Sequence, residues 1–184
     1  MRIRASCHHV LSLSVLAITL AFIVACQSPV EGGKYLVAIT GCNDCHTTKK
    51  IGPNGPEPDM SKMLAGYPED SKIPSALIAP SDAPWAIATN PTLTAWSGPW
   101  GVSFAANLTP DQNTGLGIWT EKMFVTAMRT GKHMGISRPI LPPMPWQDIA
   151  VMSDADLKAI FAYLRTIPPI VNHVPDPISP TSSK

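Results

Sequence analysis

Two thiols and an imidazole stand within one five-residue string, Cys42-Asn43-Asp44-Cys45-His46. Thiols at this spacing lie about one helical turn apart, so both can add to the two vinyl groups along one edge of a porphyrin. The imidazole beside the second thiol is then carried under the ring, where it binds iron. A C-x-x-C-H string therefore reads as covalent c-type haem attachment. Two other chemistries use paired cysteines. A structural zinc site wants a fourth ligand, commonly another C-x-x-C or a His pair. Beyond the motif, the chain after residue 25 offers only His133 and His173, which are forty residues apart. A thioredoxin-like redox pair wants a βαβ setting, and no alternating strand pattern surrounds this one. The expected cofactor is one covalent haem c on Cys42 and Cys45, with His46 on the iron.

Iron bound by His46 has one axial position left, and its occupant decides the function. Met/His ligation raises the potential and suits electron transfer, whereas an open position suits gas binding or peroxide chemistry. Met123 and Met128 fall on a helical stripe, where methionine is commonly core filler. Met152 serves a helix-capping staple, and Met60 and Met63 sit in polar surroundings soon after the motif. Met144 is different, because it stands in Pro139-Ile140-Leu141-Pro142-Pro143-Met144-Pro145-Trp146. An iron–thioether bond is weak, so its sulfur needs a stiff backbone. Prolines on both sides fix φ near about −65° and reduce the entropy lost on closure. Met144 is the expected sixth ligand. His133, in Gly131-Lys132-His133-Met134-Gly135, is the rival and would give a bis-His haem of lower potential. Arg129, Arg138, Trp100 and Trp146 are candidates to reach the haem propionates, with a surface charge or a core aromatic as the alternative role of each.

The elements that must position these groups read as helices. Ser28-Pro29-Val30-Glu31 has the capping-box form with proline at the first helical position, which predicts a helix from Pro29 into the Gly41–Cys42 region. Gly32 and Gly33 weaken its start. Thr120 caps a predicted helix Glu121–Thr130 that Gly131 ends, with Trp119 and Phe124 as a staple. Ser153 and Asp156 cap the last helix, on which Leu157, Ile160, Phe161 and Leu164 recur at helical spacing until Pro168-Pro169 stops it. Residues 47–106 carry nine of the twenty prolines and three of the five tryptophans, Trp85, Trp96 and Trp100. Proline denies ladder donors to a central strand, so this stretch is expected as a long loop wrapping the haem edge. The tail 171–184, rich in Pro, Ser and Thr, is expected to be a disordered exit. The predicted fold class is all-α, with helices around a haem.

The first 25 residues are expected to lie outside the fold. Arg2 and Arg4 precede an uncharged run of 16 residues, Val10 to Ala25, the length of a signal-peptide core and short of the ~20 residues of a spanning helix. The run ends Phe22-Ile23-Val24-Ala25-Cys26, which resembles a bacterial lipobox and implies lipidation of Cys26. An uncleaved helical anchor is the alternative. Both put the domain outside the cytoplasm at a membrane, in the cell envelope, and Gln27 after the cysteine favours the outer membrane. The formal net charge is +1 with 15% charged residues and no basic block, so no nucleic-acid partner is expected. The apolar fraction of 45% excludes disorder of the whole chain.

Several motifs follow the haem string in order: Ala106-Asn107-Leu108-Thr109-Pro110-Asp111, Thr114-Gly115-Leu116-Gly117-Ile118-Trp119-Thr120, Arg129-Thr130-Gly131, Pro143-Met144-Pro145, and Asp154-Ala155-Asp156-Leu157 through Tyr163-Leu164. Together they resemble class I c-type cytochrome domains associated with bacterial membrane-bound alcohol and gluconate dehydrogenases. The resemblance covers approximately residues 34–170. It implies Met144 as sixth ligand, and it implies Pro53, in Ile51-Gly52-Pro53, as the carbonyl that accepts the second ring nitrogen of His46. The chain departs from the pattern in having one haem motif where dehydrogenase subunits usually carry three, and in an apparent insertion over 71–99. The expected protein is an electron carrier and not an enzyme. A dehydrogenase or quinol oxidase would be its donor, and an oxidase or another cytochrome its acceptor. A peroxidase or gas-binding protein with an open sixth position is the alternative, with His133 and Arg129 or Arg138 as its distal groups. A binding module in which haem is structural is a third reading.

Overall fold

Ser28 opens the first helix: its hydroxyl accepts the Glu31 N–H at 3.2 Å, and Pro29 fills the first helical position. Helix α1 runs Pro29–Ile39 and the five-residue α2 runs Cys42–His46. The computed structural model describes residues 28–73 and 87–180. The expected signal 1–25, Cys26, Trp85 with the rest of 74–86, and 181–184 lie outside the described residues. Among the described residues, no helix is long and apolar enough to cross a membrane.

Helix α3 occupies Glu121–Thr130. Thr120 Oγ1 accepts the Met123 N–H at 3.2 Å, and Gly131 closes the helix in the left-handed region. A short α4, Trp146–Ala150, follows the proline-rich Met144 segment, and α5 spans Asp154–Leu164 with the reciprocal Ser153–Asp156 capping box. The apolar faces meet in one cluster. Val37 comes from α1, Phe124, Ala127 and Met128 from α3, Ile149 from α4, and Leu157, Ile160, Phe161 and Leu164 from α5. The Phe124 and Phe161 rings lie 5.3 Å apart. Each of these side chains larger than alanine contributes about 1.5–3 kcal/mol when fully removed from water.

Gly33 has a role the sequence reading missed. A Cβ there would sit 1.9 Å from the Ala159 carbonyl oxygen and 2.9 Å from Tyr163 Cβ. The residue that weakens α1 locally is what lets α1 lie directly against α5.

The all-α expectation is overturned by two antiparallel sheets within the stretch read as a wrapping loop. Strands β1 (Lys49–Gly52) and β2 (Gly55–Pro58) form a hairpin, and β3 (Ala88–Thr89), β4 (Ala95–Gly98) and β5 (Gly101–Phe104) form a three-stranded sheet in that order. Proline did not forbid the first hairpin, for a geometric reason. The Asp59 N–H donates to Thr48 O at 2.8 Å. Ladder bonds alternate in an antiparallel pair, so Pro56 and Pro58 fall where their nitrogens face away from β1. Both tight turns share one pattern, Gly52-Pro53-Asn54-Gly55 and Gly98-Pro99-Trp100-Gly101. Proline presets φ for the second residue of such a turn.

The tail also departs from expectation over 171–180. Ile178 exchanges both backbone hydrogen bonds with Val102 of β5, at 2.8 and 2.9 Å, and Asn172 is buried and fully hydrogen-bonded. Its anchors are side-chain-to-backbone bonds from residues distant in sequence, which leave no local period to read.

Candidate functional site

The Cys42–His46 helix sets both thiols and the imidazole on consecutive turns, entered through Gly41 in the left-handed region. Cys42 and Cys45 are free thiols. Burial raises the pKa of both. At Cys42 a hydrogen bond with the Thr40 hydroxyl, 3.3 Å away, opposes it. At Cys45 the Asp44 carboxylate adds to it and Lys49 offsets it. His46 is buried, and its Nδ1 lies 2.8 Å from the carbonyl oxygen of Ala106. A carbonyl can only accept, so the ring proton sits on Nδ1 and the lone pair on Nε2. Burial lowers the His46 pKa, partly countered by that carbonyl, and so favours the neutral imidazole that metals bind. The acceptor is Ala106 and not the expected Pro53, because Pro53 is in the turn at the tip of the β1–β2 hairpin.

The donor set fits a haem. Among the described residues, no group of three or more His, Cys, Asp or Glu converges as a bare ion's cage would require. Haem iron asks less of a protein, because the porphyrin supplies four nitrogens and the chain only axial ligands. Leu36, Met63, Leu108, Trp119, Val125 and Ile140 are partly buried and pack on the apolar cluster.

Met144 and Cys42 pack against that same cluster, and so do Met63 and Met152. The Met144 backbone is fixed at both ends. Its N–H reaches Leu141 O at 3.3 Å, and its carbonyl accepts the Trp146 N–H at 2.9 Å. The segment is also tied to the three-stranded sheet. The Trp100 indole donates to Ser103 Oγ at 3.2 Å, and Ser103 Oγ donates to the Pro142 carbonyl. Trp100 therefore acts on the loop that carries Met144. His133 sits edge-on to Trp119, ring centroids 5.1 Å apart. Its pKa is lowered by burial first and by the Arg138 charge second.

The chain is similar to cytochrome c subunits of bacterial dehydrogenases. It is 28% identical over 134 residues to the gluconate 2-dehydrogenase cytochrome c subunit of Pantoea cypripedii, covering 73% of this chain and 22% of that protein. It is 32% identical over 137 residues to the fructose dehydrogenase cytochrome subunit of Gluconobacter japonicus, covering 74% and 21%. The alcohol dehydrogenase (quinone) cytochrome c subunit of Gluconobacter oxydans is 32% identical over 89 residues, covering 47% and 18%. The chain thus spans about a fifth of the length of these relatives. No family model matches it.

Two expected propionate partners have other engagements. Arg129 donates to the Ala150 carbonyl and pairs with Asp154, tying α3 to the start of α5. Trp146 lies over Gly131 at the end of α3. The sequence reading missed Ala106 because it contributes a backbone oxygen, which residue type does not announce. It also missed Arg165, which donates to the carbonyls of Leu116 and Gly117 at 3.0 and 2.8 Å and so holds the Thr114–Trp119 loop against α5.

Proposed function

We propose that this chain is a one-electron carrier, a class I monohaem cytochrome c domain over residues 34–170. It is held outside the cytoplasmic membrane by lipid on Cys26, with the first 25 residues removed as a signal. One observation carries the reading: two unpaired thiols and a buried imidazole share a five-residue helix, and Ala106 fixes the imidazole proton on Nδ1. Kinship with cytochrome c subunits supports haem c as the cofactor. When bound, the haem supplies a ferric/ferrous couple. Cys42 and Cys45 would hold the haem covalently, and His46, through Nε2, and Met144, through its sulfur, would ligate its iron. Leu36, Leu108, Trp119 and Ile140 pack on the apolar cluster and would offer apolar surface to the ring, and the protein performs no bond chemistry of its own.

Similarity to dehydrogenase cytochrome subunits supports a redox partnership with a dehydrogenase; the proposed donor is a dehydrogenase or a quinol oxidase, and the proposed acceptor an oxidase or another cytochrome. The positive start, the 16-residue apolar run and Cys26 support a lipid anchor, since several acyl chains hold firmly where one does not. Gln27 supports the outer membrane.

The test is a visible spectrum of protein matured in a periplasm with haem-attachment machinery, recorded with and without carbon monoxide. The expected result is a reduced form that resists carbon monoxide, and an oxidised form whose sulfur-to-iron charge-transfer band disappears in Met144→Ala. Ready carbon monoxide binding by the unmutated protein would remove Met144 from the iron and favour the gas-binding or peroxidase alternative.

A further inference from the structure

His46 is oriented by a carbonyl that is itself held in place by a chain of contacts ending in the C-terminal tail. Two irregular segments run side by side behind the imidazole. The Leu108 N–H donates to Leu64 O at 2.8 Å and the Tyr67 N–H to Ala105 O at 2.9 Å, while the carbonyl of His46 accepts the Gly66 N–H at 2.7 Å. The approach is close enough to demand glycine. At Gly66, φ is +81°, and a Cβ would lie 2.3 Å from Ala105 O and 2.7 Å from Ala106 O. The carbonyl that accepts from Nδ1 is thus set by how segment 64–67 lies against segment 105–108.

Asn172 binds this pair of segments together. Its Nδ2 donates to Ala65 O at 2.6 Å and to Tyr67 O at 2.8 Å, and its Oδ1 accepts the Glu69 N–H at 2.9 Å. Its backbone N–H donates to Thr114 Oγ1 at 3.1 Å. The same Thr114 oxygen accepts from Asn107 Nδ2 at 3.1 Å, and that amide also reaches Ile170 O at 2.8 Å. Both amide hydrogens and the amide oxygen of Asn172 are used, and the residue is 7% exposed. An asparagine is the side chain that can donate twice and accept once in this plane. Tail residue 172 therefore clamps one segment and, through Thr114 and Asn107, the other.

The geometry points to Asn172 as a positioning residue for the axial imidazole: it holds the Ala106 carbonyl against Nδ1 of His46. This rests on the reading of His46 as the haem-iron ligand. A carbonyl on the outer nitrogen of a ligating histidine fixes the ring and makes it a stronger donor, which favours the ferric state. Slackening that contact weakens the donor and shifts the couple toward ferrous.

The experiment uses the matured, haem-loaded protein with Asn172→Leu, which keeps approximate volume and adds no charge, and Asn172→Ser, whose single donor is too short to bridge both carbonyls. Ser153→Ala, at the exposed cap of α5, is the control for lost stability alone. Reduction potential and the solvent-exchange rate of the His46 Nδ1 proton are measured in each. Either Asn172 variant is expected to shift the ferric/ferrous equilibrium constant three- to tenfold toward ferrous, about 30–60 mV upward for one electron at 59 mV per tenfold. It should also speed Nδ1 proton exchange at least tenfold, while Ser153→Ala moves neither. If the variants lose stability yet keep potential and exchange rate, the tail is structural only and the inference fails. A His46→Ala protein with an unaltered iron spectrum would instead overturn the ligand reading beneath it.

Discussion

Adjacent glycines in α1 should respond to the same substitution with opposite signs. Gly32 and Gly33 are neighbours in one helix, so each gains backbone propensity on becoming alanine, about 0.8–1.0 kcal/mol in a helix interior. At Gly32 nothing lies within 4 Å of the added Cβ, so the propensity gain stands alone. At Gly33 the Cβ would meet the Ala159 carbonyl oxygen at 1.9 Å and its carbon at 2.5 Å. Those are backbone atoms of α5 and cannot rotate aside, so the helices must separate. Overpacking of this kind costs about 1–3 kcal/mol or more, which exceeds the propensity gain except at its lower limit. The expected net effect is stabilisation of roughly 0.5–1 kcal/mol for Gly32→Ala and destabilisation of roughly 1–2 kcal/mol for Gly33→Ala. At about 2–4 °C per kcal/mol for a domain of this size, the melting temperatures should separate by several degrees. Thermal denaturation followed by far-ultraviolet circular dichroism reads both. Equal shifts of the same sign, or a stabilised Gly33→Ala, would refute the close α1–α5 approach.

Ser153→Ala removes one half of the α5 capping box, in which Ser153 Oγ accepts the Asp156 N–H at 3.1 Å. It should cost about 1 kcal/mol, read as a lowered denaturation midpoint. Gly66→Ala combines left-handed strain with a collision on Ala105 and should cost about 2–4 kcal/mol, visible as a fall in melting temperature that exceeds that of Ser153→Ala. Asp111 accepts from the Thr114 hydroxyl at 2.7 Å and from the Thr114 and Asn113 N–H groups, and the Thr114 hydroxyl leads the causes that hold its pKa below the ordinary carboxylate range. Its stabilising contribution is complete above the unfolded value of about 3.9 and is lost as pH falls through the lower folded value. Asp111→Asn should therefore lower the melting temperature near neutrality and narrow the difference between about pH 7 and about pH 3. An undiminished acid sensitivity would exclude Asp111 from it.

What could be read from the chain follows how local each signal is. Helices α3 and α5 carry their caps, staples and apolar stripes within a dozen residues, and both occur where Thr120, Gly131, Ser153 and Asp156 put them. The short helix Cys42–His46 brings the two thiols and the imidazole together as the C-x-x-C-H spacing implies. The sheets are hidden in the sequence because proline content argues against strands, although Gly-Pro-x-Gly stands at both tight turns. The tail and the Ala106 carbonyl were beyond reach for another reason. Asn172 meets Ala65 and Tyr67 across more than a hundred residues, and a carbonyl acceptor is the same for every residue type. Gly33 read as a weak helix start because its cause lies in α5.

Covalent haem on Cys42 and Cys45 is read by intact mass spectrometry of the matured protein after denaturation and acid–organic extraction. The expected chain is heavier by one haem that extraction does not remove. Cys42→Ala and Cys45→Ala together should abolish the added mass. A chain at its apoprotein mass, or one whose haem is removed by extraction, would contradict it.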